Sequence, residues 1–168
     1  MAEIKENQNQ MALREESSTQ YLTFKIGDDD FGINILSVQE IHGWIPPRPI
    51  PETPDYIKGL IDWRGLVVPV VDLRERFKFE RVSDNKSTVI IIIKSLVEAI
   101  AQNCTIAIIV DGVSDVCDIA DSDVKRAPNL GSNIDTEFIK GIVKIDHQMV
   151  IVLDLGKLLN LDNLFHKI

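Results

Sequence analysis

At 168 residues, 45% hydrophobic and with a formal net charge of -8, the chain has material for one core-forming domain or two very small ones. The negative balance argues against nucleic acid and against anionic membrane surfaces, both of which select basic faces. No apolar run exceeds the five residues of Val89 to Ile93, far short of a membrane span, and MAEIKENQNQ holds no apolar signal-peptide core. The two cysteines, Cys104 and Cys117, form no CxxC pair, so reduced, small buried thiols of a cytoplasmic protein are expected.

Residues 1–19 are polar and aperiodic, which predicts a mobile tail. YLTFKI then alternates, with Leu22, Phe24 and Ile26 on one face; GDDD turns the chain and FGINIL alternates back as a hairpin. SVQEI continues as a short extended piece. WIPPRPIPETP holds five of the seven prolines and reads as a stiff crossing loop. YIKGLI and LVVPVVDL form a second hairpin with DWRG at its tip, where Gly65 suits a positive φ. RERFKFER follows as about one helical turn, then the linker VSDNKS. TVIIIIK is a buried strand, SLVEAIAQN an elaboration at 95–103, and TIAIIVDGVSDV a further strand region. VKRAP and NLGSNIDTE make a long connection, a third hairpin closes the unit, and 156–168 forms an amphipathic C-terminal helix.

The second and third hairpins are copies. YIKGLIDWRGLVVPVVDL and FIKGIVKIDHQMVIVLDL align without a gap at an offset of 82, with seven of eighteen positions identical, where chance would give roughly one. FGINILSVQEI is echoed by TIAIIVDGVSDV at an offset of 75. Two sets of about five short strands follow, covering about 20–80 and 86–155. Sets that small remove their edges most simply by closing into barrels. Two such barrels side by side share a third apolar layer, and the pattern leaves strand exchange between the halves open. The fold class expected is all-β with a C-terminal helix.

Little of the sequence points to catalysis. His42, His147 and His166 fall in unrelated elements without metal-ligand spacing, and GVSDV lacks the second glycine of a nucleophile elbow. DDDFG fails as a calcium loop, with Ile33 and Gln39 where Gly and Glu are needed. No cofactor, metal or enzymatic activity is expected. The hairpin tip stands out instead. A turn needs neither Trp63 nor Arg64, yet both are residue types enriched at binding hot spots.

YLTFKIGDDDFGINILSVQEI, TPDYIKGLIDWRGLVVPVVDLRERF and AIIVDGVSDV together resemble the CheW family of chemotaxis coupling proteins, over about residues 20–160. The resemblance implies two five-stranded SH3-like barrels packed side by side. It implies a non-catalytic adaptor, cytoplasmic and recruited to membrane-associated arrays, between chemoreceptor tips and the regulatory domain of the kinase CheA. The alternative within the family is a scaffold for a related non-motility kinase pathway. A CheV protein would add a receiver domain, for which 168 residues leave no room. Carried over by residue, VQEI gives Val38, Glu40 and Ile41 as receptor-binding. The turn motif gives Asp62, Trp63, Arg64 and Gly65, and the groove wall gives Val110 and Gly112. Kinase contacts are expected around Ile33 and Leu36. Asp-Trp replaces the usual Asn-Leu before the arginine, and Asp62 is a candidate partner for Arg64.

Overall fold

The alternation read from the sequence resolves into ten strands in the computed structural model, which describes residues 17–79, 86–94, 105–126 and 136–158. The first half supplies β1 (Ser18–Ile26), β2 (Asp29–Asn34), β3 (Val38–Gly43), β4 (Ile57–Trp63) and β5 (Leu66–Asp72). One helical turn, α1 (Leu73–Arg76), follows. The second half supplies β6 (Val89–Lys94), β7 (Thr105–Val110), β8 (Gly112–Ala120), β9 (Ile139–Ile145) and β10 (Gln148–Leu153), then α2 (Leu155–Leu158). Ser18 already pairs with Ala120, so strand structure begins inside the segment predicted as tail. The expected 95–103 elaboration, Cys104, the rest of the tail and the helix beyond Leu158 lie outside the described residues.

The halves exchange strands reciprocally. One sheet runs β8-β1-β2-β10-β9 and the other β3-β6-β7-β5-β4. Each half therefore lends its first two strands to the other half's last three. The division at 20–80 and 86–155 follows the repeat and not the sheets. The physical reason lies in the crossings. A three-residue 3-10 turn, Ile35–Ser37, carries the chain from one sheet to the other, and the single residue Asp111 carries it back.

Among the described residues, neither sheet closes by a continuous ladder. Each is spanned instead by one two-bond bridge. Arg48, in the proline loop after β3, exchanges hydrogen bonds of 2.8 and 2.9 Å with Leu60 on β4. Lys125, beyond β8, does the same with Ile142 on β9 at 2.8 and 2.7 Å. The repeated glycines stand beneath these bridges. A Cβ on Gly59 would meet the Arg48 carbonyl oxygen at 2.0 Å, and one on Gly141 the Lys125 oxygen at 2.7 Å.

Three apolar cores result. Ile90, Ile92, Ala107 and Ile109 fill the interior of one sheet with Val68 and Val70. Tyr21, Val143, Val150 and Val152 fill the other. Ile91, Ile93, Ile106, Ile108 and Val110 face Leu22, Phe24, Ile26, Phe31 and Ile33 in the layer between them. Alternate residues of β6 and β7 thus enter different cores, which is why these strands read as unbroken aliphatic runs. Arg76 joins the copies. Its guanidinium lies 4.9 Å from the ring of Tyr56 and 4.6 Å from that of Phe138, two equivalent positions of the repeat.

Candidate functional site

The tip of the first repeated hairpin is a two-residue loop, since β4 ends at Trp63 and β5 begins at Leu66. Arg64 and Gly65 both take positive φ, 53° and 80°, as a type I′ turn requires. Glycine does so freely, whereas a residue with a Cβ does so against steric resistance. Asp62 secures the turn, its Oδ1 accepting from the Gly65 N–H at 2.9 Å. The second tip makes the same turn with Asp146 and His147, at 46° and 69°. The fold demands the turn and not these residues.

β3 and β4 are the two outer strands of their sheet, and side chains from both meet across the seam. The Trp63 indole N–H donates to Oε2 of Glu40. Nη2 of Arg64 donates to Oε1 of Glu40 at 3.4 Å. The guanidinium carbon of Arg64 also lies 5.3 Å from the Trp63 ring centroid. Trp63 is half-buried and packs with Ile45 onto the apolar cluster of its sheet, while the Arg64 side chain is 72% exposed. The Trp63 hydrogen bond, and then the charge of Arg64, hold the Glu40 carboxyl below its ordinary value despite some desolvation.

The depressed carboxyl has a consequence for pH. A group whose folded pKa is lowered keeps its contact above that pKa and loses it as pH falls through it. In a Trp44→Phe protein, Trp63 emission should stay constant from neutral pH through the ordinary glutamate range and change only below it. A transition centred on the ordinary value would mean that Trp63 does not hold Glu40.

Beside this cluster the seam opens into a depression of about 500 Å³ floored by Leu60, Ile61 and Val67 and walled by Ile45, Pro46 and Arg48. Its counterpart on the other seam holds Ile142, Val143 and Met149, with Lys144 where the first has Asp62. The duplicated scaffold has inverted one charge.

The expected receptor face is thus only partly assembled. Glu40, Trp63, Arg64 and the Asp62–Gly65 turn come together. Ile41 is 45% exposed on the same strand, and Val38 is half-buried against the central layer. Val110 is fully buried in that layer and has no surface to offer, so it cannot form a groove wall. Gly112 is half-buried at the crossover, opposite Lys25. Asp62 serves its own turn, and Arg64 pairs with Glu40 instead. Of the kinase candidates, Leu36 is 71% exposed, but Ile33 is completely buried between the sheets and offers no contact surface. The Glu40–Trp63 hydrogen bond is not legible in the sequence. Its partners sit 23 residues apart on strands that are not neighbours in the sheet, and no periodicity signals it.

Among the described residues, no three His, Cys, Asp or Glu side chains could hold a metal ion, and no helix is long and apolar enough to cross a membrane. The half-buried Cys117 thiol is pushed up by burial and then by Asp115 and Asp146, which disfavours the thiolate.

A family model described as the CheW-like domain matches residues 20–163. The chemotaxis protein CheW of Klebsiella aerogenes is 37% identical over 141 residues, covering 84% of this chain and 81% of the relative. That of Rhizobium meliloti is 32% identical over 134 residues, covering 80% and 83%. The solved structure of the scaffolding protein TtCheW from Thermoanaerobacter tengcongensis matches with a TM-score of 0.73 at 33% identity, over 82% of this chain and 84% of that one.

Proposed function

The chain belongs to the CheW family of chemotaxis scaffolds, and on that premise we propose that it is a non-catalytic adaptor coupling chemoreceptor tips to the histidine kinase CheA. It acts in the cytoplasm, at membrane-associated receptor arrays. The observation that carries this reading is the seam cluster. The residues that the family resemblance links to receptors, Glu40, Arg64 and Gly65, converge at one exposed place with Trp63. A receptor tip is a helical hairpin. An exposed guanidinium next to aliphatic surface suits the polar edge and apolar stripe of such a helix.

The kinase is assigned a separate surface around Leu36, in the 3-10 turn between the sheets. Individually weak contacts suffice in an array, because linked sites raise effective concentration.

Paired titrations of the purified protein test this, one with a CheA regulatory domain and one with a receptor-tip hairpin fragment from the same genome. Both should saturate. Arg64→Glu should weaken the receptor fragment by at least about tenfold and leave the kinase domain unaffected. Leu36→Asp should do the reverse. A folded Arg64→Glu protein with unchanged receptor affinity would exclude this face. Binding to neither titrant would exclude the coupling role.

A further inference from the structure

We propose that Trp63 is the positioning residue of this face: it clasps Glu40 across the seam and holds Arg64 outward, so that Arg64 is the group that reads the partner and Glu40 is occupied within the protein. The proposal rests on the receptor-face reading above and deepens it.

Glu40 presents two oxygens, and both are engaged by its own chain, one by the Trp63 indole and one by Arg64. Each oxygen keeps a further lone pair, but the carboxylate's orientation and charge are already committed to its neighbours, so it serves first as their support. Arg64, in contrast, is anchored on one side only. Its backbone is fixed at φ 53° by the turn. Its guanidinium rests against the Trp63 face, and the side chain remains 72% exposed. Donors not used on Glu40 face outward, toward a partner carboxylate or an unpaired helix-end carbonyl. Trp63 can hold this arrangement because its own ring is packed against the apolar cluster of its sheet.

The second copy supplies an internal control. At the same offsets, Asp115 stands for Glu40, Ile145 for Trp63 and Asp146 for Arg64. Isoleucine has no N–H to donate, and Asp115 Oδ1 instead accepts from the neighbouring Val116 N–H at 2.8 Å. The turn still forms there. The clasp is therefore not needed to fold the hairpin. It is an addition found in the copy that carries the arginine.

A side chain that is already ordered loses less freedom on binding. Removing the whole indole with Trp63→Leu should weaken a chemoreceptor-tip hairpin fragment about tenfold, and Trp63→Phe, which keeps the ring and loses the N–H, about threefold. The decisive readout is coupling, measured in the full chain. In an Arg64→Ala background Trp63→Leu should have little further effect, because no guanidinium is left to position. Glu40→Gln should move the Trp63 indole N–H resonance in the free protein and weaken the fragment by about the same factor as Trp63→Phe. Far-ultraviolet circular dichroism and unchanged binding of the CheA regulatory domain report that each variant is folded.

Equal losses from Trp63→Leu with and without Arg64 would make Trp63 a direct contact and overturn the positioning role. Affinity within twofold of the parent in both Trp63 variants would also overturn it. If Arg64→Glu leaves the fragment bound at full affinity, the receptor-face reading itself fails. The two failures are thereby distinguished.

Discussion

Replacing Arg74 with alanine is expected to lower the unfolding free energy by about 3 to 5 kcal/mol, the cost of breaking a buried charge network by removing one partner. The Arg74 side chain is 5% exposed. Its Nε and Nη2 donate to the two Asp72 carboxylate oxygens at 3.0 and 2.9 Å, and its Nη1 to Asp111 at 3.2 Å. The other Asp111 oxygen accepts from the Gly27 N–H at 2.6 Å. Asp72 also caps α1 through the Arg74 N–H. The network thus ties the end of β5 to the crossover into β8 and to the β1–β2 turn, which joins the two sheets. Alanine would leave Asp72 buried without its countercharge. Lysine keeps the charge but not the planar fork, so Arg74→Lys should lose an intermediate amount. Urea denaturation at neutral pH measures both. A loss under about 1 kcal/mol for Arg74→Ala would mean that water reaches and satisfies the two aspartates, and that the network does not join the sheets.

Local chemistry made some of this legible in the sequence, and long-range geometry hid the rest. The repeat was readable because equivalent turns and close approaches demand the same residues, as Gly59 and Gly141 show. The third apolar layer followed from two small sheets packing side by side, and the unbroken aliphatic runs of β6 and β7 are its imprint. The reciprocal exchange did not follow, since a three-residue crossing carries no mark of which sheet the next strand joins. The burial of Val110 and Ile33 was hidden for a related reason. In strands covered on both faces, alternation no longer separates core from surface. Family resemblance placed both residues near a site, but only packing reveals that they face inward. At the tip, the resemblance found Arg64 and Glu40 one by one. The pairing through Trp63 exists only because two outer strands meet at a bridged seam.

That seam supplies the second large effect. Gly59→Ala should cost about 3 to 5 kcal/mol, through overpacking and the loss of two hydrogen bonds. The added Cβ would lie 2.0 Å from the Arg48 carbonyl oxygen, 2.5 Å from its carbon and 2.9 Å from the Pro49 nitrogen. All three are backbone atoms, so no rotamer relieves them. The φ of 136° adds strain for any residue with a Cβ. The proline loop must lift, which breaks the Arg48–Leu60 bridge. Gly141→Ala makes a matched comparison. There the nearest atom, at 2.5 Å, is Cγ1 of Val124, a side chain that can turn away, although the Lys125 oxygen at 2.7 Å still resists. It should cost about 2 kcal/mol. The two variants should also part in binding. Opening the first seam separates β4 from β3 and loosens the Glu40–Trp63 clasp, so Gly59→Ala should weaken a receptor-tip fragment at temperatures where it remains folded. Gly141→Ala opens a seam that carries no clasp and should bind as the parent does. Equal stability of Gly59→Ala and parent would show that the bridge does not hold the proline loop against β4 in solution. Equal receptor binding, with the stability loss present, would show that the clasp forms without the bridge.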